Sequence, residues 1–298
     1  MHIAVIGTSG QLGYDLARLL PQRAGGGYTI LPFSGRADLD ITDAAAVARM
    51  LDEKKPDALI NTAAFHNVDL CEKETDSAYR TNVVAVREMA KTCEARNITF
   101  IQIGTDYVAE GFPDNKPVPE SAPVHPNSIY SLTRFGGDCM TLTHAPTTGY
   151  VVRSCGLFGL AGCKLKGGLN FVDTMIKMAK DGKHLRVVDD QTVAPTPTDD
   201  LSLQLAAILE AGRDKLKPGL YHAVAHGETT WYHFAKTALE LAKMKHTIEP
   251  VPSTTYAAPA KRPRYSVLDN AKLRAANLDL MKPWQDGLAR YLQNKYPA

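Results

Sequence analysis

The chain has 298 residues, 44% of them hydrophobic and 22% charged, a composition typical of a globular protein with one large or two modest domains. Its formal net charge of +2 is too small, and its lysines and arginines are too scattered, to indicate a nucleic-acid-binding protein. No apolar run approaches the ~18 residues needed to cross a membrane, and the first residues enter a strand without the basic region of a signal peptide. We therefore expect a cytoplasmic protein that binds neither nucleic acid nor membranes.

The first half alternates short apolar runs with helical patterns. Four runs rich in Ile and Val and bounded by turn residues are predicted strands: His2–Gly7, Tyr28–Phe33, Ala58–Ala63 and Thr99–Gly104. Three stretches between them have helical periodicity: Gln11–Leu20, Asp43–Lys54 and Ser77–Arg96. Thr42 is a predicted N-cap of the second helix, with Asp43 favourable to its dipole. Strands that alternate with helices predict an α/β fold with a doubly wound parallel sheet.

The second half begins after one more predicted strand, Tyr150–Cys155, and its pattern is looser from about Gly156. A short strand is predicted at Arg186–Asp189, before a proline-bounded turn. Four further stretches are predicted helices: Asn170–Lys180, Asp199–Ala211, Thr230–Met244 and Pro283–Asn294.

The cysteines and histidines show no pattern of a disulfide framework or a metal site. The five cysteines are an odd number without a C-x-x-C pair, and the nine histidines have no ligand spacing such as H-E-x-x-H. We therefore expect no metal, and free thiols at Cys71, Cys93, Cys139, Cys155 and Cys163.

A glycine-rich loop, Gly7, Gly10 and Gly13, follows the first predicted strand and opens the first helix. Glycines at this spacing allow a tight turn, close approach of the backbone to a pyrophosphate, and packing of helix against strand. The loop predicts a Rossmann NAD(P)-binding domain over residues 1–155. A smaller substrate-binding domain is expected over residues 156–298, with some of its segments returning to the sheet.

The end of the second predicted strand bears on the choice of cofactor. It runs Phe33-Ser-Gly-Arg36 and has no carboxylate to repel a 2′-phosphate. With Arg36 close by, NADPH is favoured, although a solvated surface role for Arg36 and the use of NADH both stay open. Asp40 is expected near the adenine.

Tyr130 and Arg134 are the centre of the predicted chemistry. Four residues apart on a helix, they stand on one face, and a fixed cation stabilises a phenolate whose pKa is ~10 when unperturbed. Thr105 follows a predicted strand and emerges at the carboxyl edge of the sheet, where such folds bind ligands. We expect Tyr130 to donate a proton to a substrate carbonyl that Thr105 also hydrogen-bonds, while Arg134 holds the ribose hydroxyls.

These residues belong to a series of motifs in which nearly the whole chain resembles the dTDP-4-dehydrorhamnose reductase family of extended short-chain dehydrogenases. The matching stretches are Gly7–Gly13, Leu39–Asp43, Asn61–Ala64, Val68-Asp69, Glu72, Asn82, Thr105–Val108, Gly111, Tyr130 with Thr133 and Gly137, Arg153, Asn170-Phe171, Val187–Gln191, Pro195-Thr196, Trp231, Phe234-Ala235, Arg262-Pro263 and Ser266. The resemblance implies reduction of the 4-keto group of a dTDP-linked 6-deoxysugar, as in dTDP-rhamnose biosynthesis.

The resemblance also implies roles for individual residues. The catalytic positions are Thr105, Tyr130 and Arg134. The cofactor is expected to contact Gly7, Gly10, Gln11, Leu12, Gly13, Ala63 and Ala64. The nucleotide-sugar is expected to contact Val68, Asp106, Tyr107 and Arg262.

Two positions depart from the family pattern. Arg134 stands where the family has Lys; it keeps the charge but cannot relay a proton. The family sequence Arg-Thr-Ser-Trp is replaced by Arg153-Ser-Cys-Gly156, and without that indole we expect a different or larger sugar.

Three readings of the function therefore stay open. The first is an active NADPH-dependent oxidoreductase acting on a keto-sugar nucleotide, favoured because a pure binding module needs neither Tyr130 nor Thr105. The second is a catalytically weak nucleotide-binding subunit that resembles the beta subunit of methionine adenosyltransferase. The third is epimerase-like or other keto-reductase chemistry. The oligomeric state is open as well, a homodimer included.

Overall fold

A computed structural model describes residues 1–23, 27–111, 113–162 and 167–297. Cys163 lies outside the described residues, and the four other cysteines are free thiols. No helix in the described ranges is both long and apolar enough to span a membrane.

Within the described ranges, ten strands form one large and two small sheets. In chain order they are β1 His2–Ile6, β2 Thr29–Phe33, β3 Ala58–Asn61, β4 Thr99–Thr105, β5 Gly149–Ser154, β6 Leu185–Val188, β7 Thr192–Val193, β8 Gly219–His222, β9 Thr229–Thr230 and β10 Ile248–Val251. The large sheet is parallel throughout, with the order β2-β1-β3-β4-β5-β8. The small sheets pair β10 with β6 in parallel and β7 with β9 in antiparallel fashion.

Helices cover both faces of the large sheet, and five helices lie in the described residues after β5. They are α1 Gln11–Leu19, α2 Ala44–Lys54, α3 Val68–Lys73, α4 Thr75–Tyr79, α5 Ala85–Ala95, α6 Ile129–His144, α7 Phe171–Lys180, α8 Thr198–Lys215, α9 Trp231–Leu241, α10 Ala271–Ala275 and α11 Trp284–Lys295. A π-helical turn, Arg80–Val84, joins α4 to α5.

The central strands of the large sheet are buried on both faces. On one face, Ile3 and Val5 of β1 pack with Leu16 of α1 and Leu205 of α8. On the other face, Ala4 and Ile6 of β1 and Leu59 of β3 form a second apolar cluster with residues of α2 and α5. Helices on both sides of a parallel sheet confirm the predicted doubly wound fold.

The structure differs from the sequence predictions at one helix cap, within one helix and at two short elements. The N-cap of α2 is Asp43, not Thr42, because the Asp43 carboxylate accepts from the amide of Ala46 at 3.0 Å. Thr42 instead donates its hydroxyl to Asp40 at 2.7 Å. The predicted helix 77–96 is divided by the π-helical turn, and α3 and β8 were not predicted. The division into two domains at residue 155 stays a prediction, although β8, from the second half, is the sixth strand of the large sheet.

Candidate active site

The carboxyl ends of β1 and β3 form the crevice of the sheet. β1 pairs with β2 on one side and with β3 on the other, so the connections that leave these strands run in opposite directions. Such a reversal of strand order is where doubly wound folds bind nucleotides. The glycine loop follows β1, and residues 62–64 follow β3.

The glycine loop is shaped as a cradle for an anion. The amides of Gly7 and Thr8 both donate to the carbonyl of Phe33, at 2.8 and 3.1 Å, and Gly7 has a φ of +91°. A Cβ on Gly13 would lie 2.2 Å from the carbonyl oxygen of Gly7, so only glycine lets α1 begin this close to the loop. Gly10 caps α1 without a side-chain hydrogen bond, and the first amides of a helix have no intrahelical partner. These features fit the pyrophosphate of a dinucleotide.

Other predicted cofactor residues hold the loops around this cradle. Gln11 bridges to the segment after β5: its Nε2 donates to Leu157 O at 3.3 Å, and its Oε1 accepts from Gly159 N at 3.1 Å. Leu12 is buried in the core. Ala63 donates its amide to the side chain of Asn61 at 3.1 Å, which fixes the backbone at Ala63-Ala64 beside the end of β3.

The loop after β2 presents one cation to the crevice side of the fold. The Arg36 side chain is 73% exposed and forms a long ion pair with Asp40, at 3.9 Å. Asp40 is held more tightly, because its Oδ1 accepts from the amide and hydroxyl of Thr42 at 2.9 and 2.7 Å. The Thr42 amide, followed by its hydroxyl, lowers the pKa of Asp40. Arg36 therefore has the freedom to meet a phosphate, whereas Asp40 is fixed in the turn before α2.

Tyr130 lies in the first turn of α6, at the carboxyl edge of β4 and β5. Ser128 and Ser131 form a capping box that starts this helix: Ser131 N donates to Ser128 Oγ at 3.2 Å, and Ser128 N donates to Ser131 Oγ at 2.9 Å. The hydroxyl of Thr105 lies near the phenol and acts to lower its pKa. The ring of Tyr107 meets the Tyr130 ring edge-on, with centroids 5.4 Å apart.

Burial raises the pKa of Tyr130, while the nearby charge of Arg134 and the hydroxyl of Thr105 oppose that rise. The phenol therefore keeps its proton in the free protein at neutral pH. Arg134 and Thr105 both act to stabilise the phenolate once the proton has left. This combination suits a proton donor.

Arg134 is 7% exposed and lies beneath the site. Its Nη2 donates to the carbonyl of Ile103 on β4. Its Nε is buried and has no hydrogen-bond partner within the described part of the chain. A buried N–H without a partner is costly, so the guanidinium fits an external acceptor such as a ribose hydroxyl. One turn further along α6, Asp138 forms a buried ion pair with Arg153 at 2.8 Å.

Two of the predicted substrate residues, Tyr107 and Arg262, lie near each other, and Arg262 pairs with the chain neighbour of Val68. Arg262 Nη2 is 2.9 Å from Asp69 Oδ2, next to Val68 at the start of α3, and the charge of Arg262 also acts on the nearby phenol of Tyr107. The Asp106 carboxylate faces inward and is only 3% exposed.

Asn82, named among the family motifs without a role, fixes the position of α6. Its Oδ1 accepts from Phe65 N at 2.9 Å, and its Nδ2 donates to Phe65 O and Thr133 Oγ1, both at 3.0 Å. Asn82 thereby ties the loop after β3 to the residue that precedes Arg134. A buried polar residue inside the predicted helix 77–96, within a π-helical turn, was the available signal.

Sequence reasoning also missed the position of Trp231. Gly156 has a φ of +50°, and a Cβ built there would lie 3.5 Å from Trp231 Cη2 and 3.3 Å from Pro195 Cα. Trp231, at the start of α9, is half-buried against the ring of Phe171, with centroids 4.8 Å apart. An indole from α9 therefore borders Gly156, although the segment after β5 has no aromatic residue of its own at this point.

The sequence is similar over almost its whole length to one protein family. The family model described as "RmlD substrate binding domain" matches residues 1–296. The dTDP-4-dehydrorhamnose reductase of Streptomyces griseus is 39% identical over 286 residues, which are 95% of this chain and 90% of that protein.

Two solved structures agree with this match. The dTDP-4-dehydrorhamnose reductase of Clostridium acetobutylicum superposes with a TM-score of 0.88 at 34% identity and covers 99% of each chain. The reductase of Bacillus anthracis in complex with NADP has a TM-score of 0.89 at 30% identity and covers 98% of this chain and 99% of its own. The chain therefore belongs to the RmlD family, that of the dTDP-4-dehydrorhamnose reductases, as its sequence motifs predict.

Proposed function

We propose that this protein is an NADPH-dependent reductase of the 4-keto group of a dTDP-linked 6-deoxysugar, of the dTDP-4-dehydrorhamnose reductase type. The observation that carries the proposal is the position of Tyr130 beside Thr105 at the carboxyl edge of the sheet, with Arg134 buried one turn below. A nucleotide-binding subunit without chemistry has no use for this arrangement. The reductase names of the relatives from Streptomyces griseus and Bacillus anthracis support the same class.

The site residues divide the reaction between them. When bound, NADPH supplies the hydride that reduces the carbonyl carbon. Tyr130 donates its proton to the oxygen on which negative charge develops, a contribution of about 10²–10⁴-fold for a well-placed general acid. Thr105 hydrogen-bonds the same oxygen. Arg134 lowers the energy of the phenolate that remains, and its free Nε is suited to a ribose hydroxyl.

The nucleotide-sugar is proposed to lie against Val68, Tyr107 and Arg262. The ion pair between Arg262 and Asp69 joins the segment after β10 to α3, and the Arg262 contact with Tyr107 connects both to the catalytic edge. Trp231 beside Gly156 is the aromatic surface available to the sugar.

We propose Arg36 as the contact for the 2′-phosphate of NADPH, because it is the exposed cation after β2 and is paired only loosely with Asp40. The substitution Arg36→Ala should weaken NADPH binding about tenfold, the loss of roughly one charge-assisted contact. NADH, which has no 2′-phosphate, serves as the matched control ligand. Equal weakening of both cofactors in a fluorescence titration would contradict the assignment.

The test of the function is consumption of NADPH, followed by its absorbance, with a dTDP-4-keto-6-deoxysugar as substrate. Tyr130→Phe should lower turnover by about 10²–10⁴-fold and leave NADPH binding intact, because it removes the proton-donating hydroxyl and keeps the ring. Tyr79→Phe, an exposed tyrosine on α4, is the control and should behave as wild type. Tight NADPH binding without turnover on any keto-sugar nucleotide would overturn the proposal in favour of the regulatory-subunit reading.

We also propose that the reaction takes place in the cytoplasm.

A homodimer is proposed as the oligomeric state, and light scattering of the purified protein measures the mass that tests it.

A further inference from the structure

Two amide side chains, Asn61 and Gln102, lie buried side by side where β3 ends. They form the last residue pair of the ladder between β3 and β4 and are 0% and 3% exposed. Two residues earlier on the same strands, Leu59 and Phe100 belong to the apolar cluster that the sheet forms with α2 and α5. Since side chains alternate along a strand, the two amides face this apolar layer as well. Polar groups in such a place are costly unless each is hydrogen-bonded.

Hydrogen bonds join the two amides into a chain that runs from the loop after β3 to α6. The amide of Ala63 donates to Asn61 Oδ1 at 3.1 Å, and Asn61 Nδ2 donates to Gln102 Oε1 at 2.8 Å. Gln102 Nε2 donates to the carbonyl of Ile103 at 3.0 Å. The same carbonyl accepts from Nη2 of Arg134. The chain therefore begins at backbone that is expected to contact the cofactor and ends at the cation of the catalytic site.

Each hydrogen bond in this chain fixes the orientation of the next group. A side-chain amide accepts at its oxygen and donates from its nitrogen. Because Asn61 uses its oxygen for a backbone N–H, its nitrogen turns to Gln102. Because Gln102 uses its oxygen for Asn61, its nitrogen turns to the carbonyl of Ile103. That carbonyl has two lone pairs, so Gln102 occupies one and leaves the other for Arg134.

We propose that Gln102 is a positioning residue for the reaction: by holding the carbonyl of Ile103, it keeps Arg134 in the orientation that offers Nε to the ribose of the cofactor. The proposal rests on the proposed reductase function. It deepens that function, since it assigns a role to a buried amide that touches neither substrate nor cofactor. The Nε of Arg134 is buried and has no hydrogen-bond partner in the part of the chain that the structure describes. The bond from Nη2 to Ile103 holds one corner of the planar guanidinium and leaves Nε for a ligand.

A competing acceptor for the guanidinium lies one turn along α6. Asp138 Oδ1 is buried and, among the described residues, has no hydrogen-bond partner. Burial raises the pKa of Asp138, against the charges of Arg153 and Arg134, so the positive charge of Arg134 reaches this carboxylate. The five N–H donors of a guanidinium lie in one plane and move together. If Arg134 were released from Ile103, it would turn toward Asp138 and away from the ribose.

Gln102→Met tests the role, with Gln204→Met as its matched control. Methionine keeps the unbranched shape of glutamine and removes both hydrogen-bonding groups. Gln204 is a second buried glutamine, on α8; its Nε2 donates to Leu278 O at 2.9 Å, and its Oε1 accepts from Leu280 N at 2.7 Å. Both substitutions should lower the melting temperature, since each removes two buried hydrogen bonds. At an assay temperature below both melting points, only Gln102→Met should lower kcat, by about tenfold, less than the ~10²-fold that a misplacement of 1 Å can cost.

Cofactor affinity gives a readout that needs no turnover. NADPH and NADH both have the ribose that Arg134 is proposed to hold, so Gln102→Met should weaken both by about tenfold, the loss of one hydrogen bond, in a fluorescence titration. In an Arg134→Met background the guanidinium is absent, and adding Gln102→Met should change either affinity by at most about twofold. An undiminished effect in that background would show that Gln102 acts through the fold rather than through Arg134, and the proposal would be wrong.

Gln102→Glu provides a second variant of the same shape. The carboxylate still accepts from Asn61, but it offers no donor to the carbonyl of Ile103 and draws the guanidinium of Arg134 into an ion pair. The kcat should therefore fall at least as far as in Gln102→Met, whereas the melting temperature should fall less. A purely structural role predicts wild-type kcat for both Gln102 variants below their melting points, and that result would overturn the proposal. Absence of turnover in wild type would count against the reductase function alone, because the two cofactor titrations still test Gln102.

Discussion

Gly13→Ala is the most direct test of the proposed cofactor cradle. A Cβ on Gly13 would lie 2.2 Å from Gly7 O and 2.7 Å from Thr8 Cα, all backbone atoms that cannot rotate away. The contact with Gly7 O is about 1.2 Å short of the 3.4 Å at which ordinary contact begins. The loop and the first turn of α1 must therefore move apart by about that distance.

A displacement of this size should be visible in both binding and stability. A misplacement of about 1 Å can cost on the order of 10²-fold in a positioned site, which is about 2.7 kcal/mol in affinity for NADPH. Overpacking of a tight contact also lowers the free energy of unfolding by about 1–3 kcal/mol. NADPH fluorescence titration measures the first effect, and urea unfolding measures the second.

Two other glycines give graded controls. A Cβ on Gly10 would lie 3.3 Å from Gly7 O, a much milder contact, so Gly10→Ala should lower stability less than Gly13→Ala does and reduce affinity only if a ligand passes over it. A Cβ on Gly35 meets nothing within 4 Å, so Gly35→Ala should change neither quantity. If Gly13→Ala binds NADPH as tightly as Gly35→Ala does, the loop after β1 is not the cofactor site.

Two further predictions concern the charges on and around α6. Arg134→Lys should keep or raise kcat, since an ammonium preserves the positive charge one turn from Tyr130; a large loss would mean that the guanidinium has a role of its own. Asp138→Asn should lower the free energy of unfolding by about 3–5 kcal/mol in a urea titration, because it leaves the charge of buried Arg153 without its partner. Asp52→Asn is the control, because it breaks the exposed ion pair with Arg96 and should hardly change the free energy of unfolding. If both substitutions lower that free energy equally, burial of the Asp138–Arg153 pair does not matter.

The sequence predicted those parts of the fold that are specified locally. β1, β3 and β4 are runs of Ile, Val and neighbouring apolar residues, which a buried parallel strand requires. β8 has the sequence Gly-Leu-Tyr-His, which contains neither Ile nor Val. It forms a strand because it pairs with the edge of β5. Its existence depends on tertiary context that no local pattern contains.

The same distinction applies to the site. Thr105 and Tyr130 could be assigned because each stands at the end of a predictable element, where the fold class dictates its position. The contact of Arg262 with Asp69 joins residues 193 positions apart, and the proximity of Trp231 to Gly156 depends on how α9 packs. The inward orientation of Asp106 could not be predicted either, because its partners Cys155 and Ser266 come from distant segments.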